Sequence, residues 1–205
     1  MYRNAYQKGG FLTVFYSIGR SPLKFWKCQT REGHCKRVID EDLNSTVLEL
    51  SGTNVSTCKI TTPIEPYKSL GIKLPFLTII VKNMQKYCTF EIEVRDHENQ
   101  LRRFQASNFQ PHTRTNMFIT QMPLRLDPGW NKIEINLADF THRAYGTRYV
   151  ETVCIRMNAN IRLRRIYFSD QLYAEEEKPS EYRLFVPNYS HSGSGSDSNT
   201  PNASD

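Results

Sequence analysis

The fold class of this chain is decided by the stretch Tyr87-Cys88-Thr89-Phe90-Glu91-Ile92-Glu93-Val94-Arg95-Asp96. Apolar and polar residues alternate strictly along it, which is the period-2 pattern of a β-strand with one face in a core and the other in water. The residues that this pattern predicts to face the core are Cys88, Phe90, Ile92 and Val94. The stretch therefore predicts a sheet with one buried face and one solvated face.

Short segments rich in β-branched and aromatic residues recur on both sides of this stretch and end at turn residues such as Gly19, Pro63 and Gly129. The further strands predicted in this way are residues 11–18, 46–50, 57–61, 76–82, 101–104, 117–122, 130–137, 153–157 and 162–168. About ten short strands at a spacing of roughly 8–12 residues are typical of sandwiches and jelly rolls. The sequence thus predicts an all-β fold, a jelly-roll-like β-sandwich.

Helical signals are few. Residues 137–145 predict a helix of one or two turns, with Asn136 as its N-cap and Gly146 as its stop, and residues 40–45 predict a further short turn. The fold class therefore includes one or two short helices.

The end of the chain differs in composition from the sandwich domain, which we assign to residues 1–172. Residues 173–189 predict an extended C-terminal arm that is acidic first and then alternates apolar and polar residues. Residues 190–205 contain no aromatic or branched aliphatic residue and are rich in Ser, Gly, Asn and Asp. Such a segment cannot bury enough apolar area to offset chain entropy, so we expect a disordered tail.

The charge distribution indicates an anionic partner. The net charge is +6; residues 1–170 carry 25 Lys and Arg against 15 Asp and Glu, whereas residues 171–205 carry 2 against 6. A basic body steers association with nucleic acid, with an anionic membrane or with the acidic surface of tubulin, and charge alone does not choose among them. No stretch approaches the roughly 18 consecutive apolar residues of a membrane span.

The cysteines and the N-terminal residues favour the cytosol. Five cysteines are an odd number without the spacing of a disulfide scaffold, as expected in a reducing compartment. The first residues lack the apolar segment of a signal peptide. We therefore expect a cytosolic protein.

The sequence lacks the common motifs of catalytic and cofactor sites. It contains neither a G-x-S-x-G nucleophile elbow nor a Gly-rich phosphate loop. Cys28, His34, Cys35 and Cys58 lie in one region, but without a C-x2–4-C pair they fit free cysteines better than a zinc site. We expect no enzymatic activity, no cofactor and no metal.

Arginines in and near the predicted strands are the main positive signal for binding. Alternation places Arg162 and Arg164 on one strand face, and arginine suits carboxylate pairing at interfaces. A merely solvated sheet face would account for the same residues without any function. The candidate partner-binding residues are Arg102, Arg103, Arg143, Arg148, Arg162, Arg164 and Arg165.

Several segments between residue 1 and about residue 187 together carry a family resemblance. They are FYSIG (15–19), LELSGTNVST (48–57), LGIKLPFL (70–77), RRFQASN (102–108), MPLRLDPGWN (122–131), DFT (139–141), RAYGT (143–147) and RRIYFSD (164–170). In these segments the chain resembles the cilia- and flagella-associated protein 20 family. The tail after residue 189 and the double glycine at 9–10 depart from the pattern, which predicts a diverged paralogue; restriction to one ciliated cell type, such as sperm, is a hypothesis.

The resemblance implies a non-catalytic structural protein of the ciliary or flagellar axoneme. Family members of this kind lie at the inner junction of the doublet microtubule, where the B-tubule closes onto the A-tubule. The implied partners are tubulin, the parkin co-regulated protein and other inner-junction proteins, with neither a membrane nor a nucleic acid. The implied role is axoneme stability and motility. Two other classes stay open on the residues alone: a carbohydrate-binding-module-like sandwich and a nucleic-acid-binding sandwich, the latter requiring a steep salt dependence.

Overall fold

A computed structural model describes residues 1–3 and 10–184 of the chain and shows a β-sandwich of two sheets, which confirms the predicted fold class. Thirteen strands lie within the described residues. In chain order they are β1 (Phe11–Tyr16), β2 (Lys27–Thr30), β3 (Gly33–Asp40), β4 (Ser45–Gly52), β5 (Cys58–Thr62), β6 (Phe76–Asn83), β7 (Thr89–Asp96), β8 (Leu101–Ser107), β9 (Arg114–Thr115), β10 (Ile119–Pro123), β11 (Gly129–Asn136), β12 (Tyr149–Asn158) and β13 (Ile161–Ser169).

The strands divide into sheet A and sheet B. Sheet A has the order β11-β6-β13-β4-β3, and β1 also pairs with β13. Strand β6 pairs along one side of β13 over its whole length. On the other side of β13, β4 pairs with the beginning of the strand and β1 with its end. Sheet B has the order β2-β5-β12-β7-β8-β10-β9, and β10 runs parallel to β8. Most neighbours are distant in sequence, as in a jelly roll.

The core lies between the sheets and is filled by alternate residues of their strands. In β7, Phe90, Ile92 and Val94 are buried, while Glu91 and Glu93 lie half-buried on the outer face. The alternation predicted for this stretch is therefore confirmed. Glu91 and Glu93 thus lie outside the core, whereas two charged residues at alternate positions, Asp96 at the end of β7 and Arg102 in β8, are buried.

Strands β2, β3 and β9 were not predicted. All four residues of β2 are exposed, and β3 contains Lys36 and Arg37 at exposed positions. These strands satisfy their backbone groups by pairing at or near a sheet edge, where side chains need not be apolar. A hydrophobic pattern therefore has no physical reason to appear in their sequences.

Helix α1 (Leu137–Tyr145) forms where it was predicted, and local chemistry explains its bounds. The Asn136 side chain accepts a hydrogen bond from the backbone N–H of Asp139, and Gly146 ends the helix at φ 68°. Two short 3-10 helices, Val55–Thr57 and Ser180–Tyr182, complete the helical content of the described residues. No helix in this part of the chain has the length and apolar character needed to cross a bilayer.

The further helical turn predicted for residues 40–45 is instead the connection of the β3–β4 hairpin. Asp40 ends β3 and Ser45 begins β4. The Asp40 carboxylate accepts hydrogen bonds from the backbone N–H groups of Asp42 and Leu43, and Asn44 adopts a positive φ. The segment is a turn and not a helix because Asn44, at φ 45°, leaves the right-handed helical conformation and leads the chain directly into β4.

The beginning of the predicted C-terminal arm is described and packs against the outer face of sheet A. Tyr182 is buried against Phe11 and Tyr167, and Lys178 is also buried. We refer to residues 173–184 as the described arm. The remainder of the predicted arm, residues 185–189, and the predicted disordered tail, residues 190–205, lie outside the described residues.

Candidate interaction site

The outer face of sheet A carries an ion network centred on Asp40. Its Oδ2 accepts hydrogen bonds from Lys82 Nζ at 2.9 Å and from Arg162 Nη1 at 2.8 Å, and its Oδ1 accepts one from Trp130 Nε1 at 2.9 Å. Arg162 Nε also donates to Glu49 Oε2 at 2.8 Å. The guanidinium of Arg162 is thus held between two carboxylates of its own chain.

Asp40 is completely buried, and its hydrogen bonds decide its charge. Burial by itself would raise the pKa of Asp40, but the hydrogen bonds from Lys82, Trp130 and Arg162 hold that pKa well below its ordinary value. The pKa of Arg162 is raised, first by its hydrogen bond to Asp40. The group is therefore a fully ionised internal network at neutral pH.

A β-bulge in β13 places two consecutive arginines on the same outer face. The register between β13 and β6 shifts between Leu163 and Arg165, so Arg164 and Arg165 both lie on the side opposite the core. Arg162 lies on that side as well, as its bonds to Asp40 show. The structure thus brings together the three arginines predicted for this strand.

Arg165 is buried between two aromatic rings. Its Cζ lies 3.7 Å from the centroid of the Tyr16 ring and 4.6 Å from that of Tyr182, which are cation–π distances. In the described part of the chain, the nearest carboxylate oxygen belongs to Glu181 and lies 3.9 Å from Arg165 Nη2. Arg165 therefore attaches the described arm to β13.

Arg164 has polar but uncharged partners. Its Nη1 donates to Ser45 Oγ at 2.9 Å and to the backbone carbonyl of Thr46 at 3.1 Å. Among the described residues, no carboxylate lies within 4.0 Å of its guanidinium. Burial, together with the neighbouring charge of Arg165, lowers the pKa of Arg164.

In sheet B, Arg102 and Arg103 have different environments. Arg102 is buried; its Nε donates to Asp96 Oδ2 at 2.8 Å, and its Cζ lies 4.7 Å from the Tyr145 ring centroid. Arg103 lies on the outer face, where its Nη2 is 3.5 Å from Glu93 Oε2. Arg102 is therefore an internal residue, whereas Arg103 is accessible and partly paired.

Arg143 and Arg148 lie in and just after α1 and are exposed. Arg143 pairs with Asp139 one helical turn earlier, at 3.1 Å. The backbone N–H of Arg148 donates to His97 Nδ1, which places Arg148 beside the β7–β8 turn. The seven predicted arginines therefore occupy separate places: three on the outer face of sheet A, two in sheet B and two near α1.

The sequence interpretation did not find several residues that organise the outer face of sheet A. They are Tyr16, Asp40, Tyr182 and Arg183. Asp40 ends a strand near an edge that has no apolar pattern, so nothing in the sequence marks it. Tyr182 had a signal, because it begins the apolar alternation of the predicted arm. Residues 1–3 and 10–184 contain no group of three or more His, Cys, Asp or Glu side chains arranged to hold a metal ion.

This sandwich, with basic residues on both outer faces, can now be compared with known proteins. Residues 1–186 match the family model described as the CFA20 domain. The chain belongs to the CFA20-domain family.

The resemblance read from the sequence is confirmed by individual relatives. Cilia- and flagella-associated protein 20 of Paramecium tetraurelia is 57% identical over 187 residues, which cover 91% of this chain and 97% of that protein. The protein of the same name from Chlamydomonas reinhardtii is 57% identical with 91% and 98% coverage, and that of Caenorhabditis elegans is 52% identical with 91% and 92% coverage.

Solved structures are matched only at low sequence identity. The family 11 carbohydrate-binding module of the cellulosomal cellulase Lic26A-Cel5E of Clostridium thermocellum superposes with a TM-score of 0.46 at 13% identity, covering 81% of this chain and 98% of that module.

Proposed function

We propose that this chain is a non-catalytic structural protein of the ciliary or flagellar axoneme. Its association with cilia and flagella follows from its family, since the relatives above are named for cilia and flagella. The observation that carries the proposal is an identity of 57% spread over 91% of the chain. The family model matches residues 1–186, which include both sheets, so the relatives support this role for the whole sandwich and not for one motif alone.

Within the axoneme, we propose a position at the inner junction of the doublet microtubule, where the B-tubule closes onto the A-tubule. The chain would bind tubulin there, beside the parkin co-regulated protein. Its basic body supports a contact with the acidic surface of tubulin, because opposite summed charges steer and orient association. The excess of 25 Lys and Arg over 15 Asp and Glu lies in residues 1–170, which include the whole sandwich.

The use of buried carboxylates supports a structural role. Asp40 bonds to Lys82 and Arg162, and Asp96 bonds to Arg102 at 2.8 Å. Burial opposes ionisation of both carboxyls, but the hydrogen bonds from their basic partners lower both pKa values. A carboxyl held ionised in this way is a poor general acid near neutral pH, so these groups serve to hold strands together.

The exposure of the arginine side chains indicates which of them can contact a partner protein. Arg102, Arg162 and Arg165 are committed to contacts inside the protein. Arg143 and Arg148 project from α1 and the loop after it, and the Arg143 side chain is 73% exposed. We therefore propose this pair as the tubulin-contacting arginines.

Co-sedimentation with taxol-stabilised microtubules tests the proposal, with and without the parkin co-regulated protein and across a salt series. We expect pelleting that weakens with salt and strengthens with the partner protein. The double variant R143E/R148E should reduce pelleting, whereas K36E/R37E makes the same charge change on β3 and should not. Equal loss in both variants would show unspecific charge attraction, and absence of pelleting by the unaltered protein in all conditions would contradict tubulin binding.

A further inference from the structure

The described arm, the β3–β4 turn and the outer face of sheet A enclose a pocket of about 440 Å³. We call it the arginine pocket. Three arginines line it, Arg164, Arg165 and Arg183, together with Tyr16. The partly exposed Leu43 supplies part of its apolar wall. The pocket therefore joins positive charge to an apolar surface.

The positive charge of the arginine pocket is poorly compensated from within. Arg183 donates from Nε to the backbone carbonyl of Lys178 at 3.0 Å and from Nη2 to that of Glu176 at 2.9 Å, and neither acceptor carries a charge. Among the described residues, Arg164 has no carboxylate within 4.0 Å. Two of the three guanidinium groups thus lack an anionic partner in this part of the chain.

The two acidic residues that line the pocket do not remove this imbalance. Asp42 forms an ion pair with Lys82 at 2.8 Å. Glu181 is 3.9 Å from Arg165, beyond hydrogen-bonding distance, and its side chain is 60% exposed. An exposed carboxylate at that distance contributes little, because water screens it.

Arg165 supplies an independent indication of a missing partner. Its side chain is only 3% exposed, and its buried Nε has no hydrogen-bond partner within the described residues. Buried polar groups are nearly always satisfied, and buried charges are costly unless paired. Arg162, only three residues earlier on the same strand, shows the usual solution, with two carboxylates at 2.8 Å.

We infer that the arginine pocket receives a carboxylate side chain from an acidic peptide segment of a partner protein. A glutamate fits both parts of the lining, since its methylene groups can lie on the partly exposed Leu43 while its carboxylate accepts from Arg164 and Arg183. Guanidinium groups match the planar carboxylate geometrically and form strong charge-assisted hydrogen bonds. The inference is independent of the proposed tubulin partner, because the pocket can be tested with an isolated peptide.

Fluorescence anisotropy with the full chain and a labelled hexaglutamate peptide tests the pocket. We expect saturable binding that salt weakens, and no binding of hexaglutamine. The variants R164Q and R183Q should each weaken binding roughly tenfold, as expected for the loss of a charge-assisted hydrogen bond. The matched control R114Q removes an exposed arginine of β9 in sheet B and should leave the affinity unchanged.

Two variants and a direct measurement keep the test decisive. Within residues 1–3 and 10–184, the Arg183 side chain bonds only to backbone carbonyls of the arm, so R183Q remains informative if R164Q fails to fold. Arginine 15Nε resonances of the unaltered protein should shift for Arg164 and Arg183 on addition of hexaglutamate. Absence of binding, or an equal loss in R114Q, would overturn the inference.

Two further outcomes would identify a different occupant of the arginine pocket and would therefore also overturn the inference. Inorganic phosphate that shifts the same resonances while hexaglutamate does not would assign the pocket to a phosphate. Tighter hexaglutamate binding by the variant D197N/D205N would assign it to the acidic end of this same chain, which continues beyond Leu184 at the edge of the pocket.

Discussion

Asp40 Oδ2 and Arg162 Nη1 lie 2.8 Å apart, which joins the end of β3 to β13 although β4 stands between these strands in sheet A. The same carboxylate bonds to Lys82 in β6 and to Trp130 in β11. The end of the β3–β4 hairpin therefore lies over the outer face of three other strands. This single buried carboxylate holds in place one wall of the arginine pocket.

Replacing Asp40 by Asn should destabilise the protein by about 3–5 kcal/mol at pH 7, because Lys82 and Arg162 would lose their shared anionic partner. The lowered pKa of Asp40 sets the pH dependence. The carboxylate contributes stability above its unfolded pKa of about 4, and this contribution is lost as the pH falls towards the lower folded pKa. Urea unfolding across acidic pH should show a flatter dependence for D40N.

The control for this prediction is D42N, since Asp42 also pairs with Lys82 but its side chain is 55% exposed. We expect D42N to cost about 1 kcal/mol or less. Equal losses in the two variants would show that burial of Asp40 does not set the strength of the network.

The Arg102 side chain should contribute strongly to the stability of the protein, whereas the exposed Arg148 side chain should contribute little. R102A leaves the buried Asp96 carboxylate without its ion-pair partner and should cost about 3–5 kcal/mol. R148A removes an exposed side chain and should change the free energy of unfolding by no more than about 0.5 kcal/mol. Guanidinium chloride denaturation measures the free energy of unfolding of both variants. Similar losses in R102A and R148A would show that the fold does not depend on Arg102, which would then again be a candidate partner-binding residue.

Tyr182 should anchor the described arm. Its ring stacks on Phe11 at a centroid distance of 4.4 Å, and its hydroxyl accepts a hydrogen bond from Thr13 Oγ1 at 3.1 Å. Y182A should release the arm, with a local cost of about 3 kcal/mol. Hydrogen exchange should then lose the protection of the Arg183 amide, which donates to the Ser180 carbonyl.

Y182F keeps the ring and removes only the hydroxyl, so it should cost about 1 kcal/mol and leave the arm in place. An arm amide that exchanges at the same rate in Y182A as in the unaltered protein would show that other contacts hold the arm.

The cysteines should differ widely in reactivity. Cys28 is exposed, whereas burial, aided by a hydrogen bond from the Cys35 thiol to Cys28, raises the pKa of Cys35 to about 12. Burial also raises the pKa of Cys88 and of Cys154 to about 11. Since the thiolate is the nucleophile, iodoacetamide near pH 8 should modify Cys28 first.

Mass spectrometry of the intact chain should show a single rapid modification, which the variant C28S should abolish. Unfolding in guanidinium chloride should make all five cysteines reactive. Rapid modification of Cys35 in the folded chain would contradict the ordering.

Local patterns account for what could be predicted from the sequence. The alternation in residues 87–96 identifies a strand because the two faces of a sheet differ in contact with water. Asn136 and Gly146 mark the ends of α1 because capping depends on groups within a few residues. Strands β2 and β9 escaped prediction because their residues are exposed, and exposed side chains obey no apolar pattern.

The candidate site required information that no local pattern carries. Arg162 and Arg164 could be assigned to one face from alternation, but the bulge that adds Arg165 depends on pairing with β6. The carboxylates that neutralise Arg162 lie 122 and 113 residues away in sequence, at Asp40 and Glu49. Which arginines are paired therefore could not be known before the strands were placed.

The sequence by itself determined the all-β class, the position of α1, the basic character of the sandwich and the family, because these depend on composition, on short periods and on motifs. Only the tertiary structure decided that Arg102, Arg162 and Arg165 serve the fold while Arg164 and Arg183 face a pocket without carboxylate partners among the described residues. The physical reason is that a charge is free or neutralised according to its neighbours in space, and a sandwich of distant strands draws those neighbours from the whole chain.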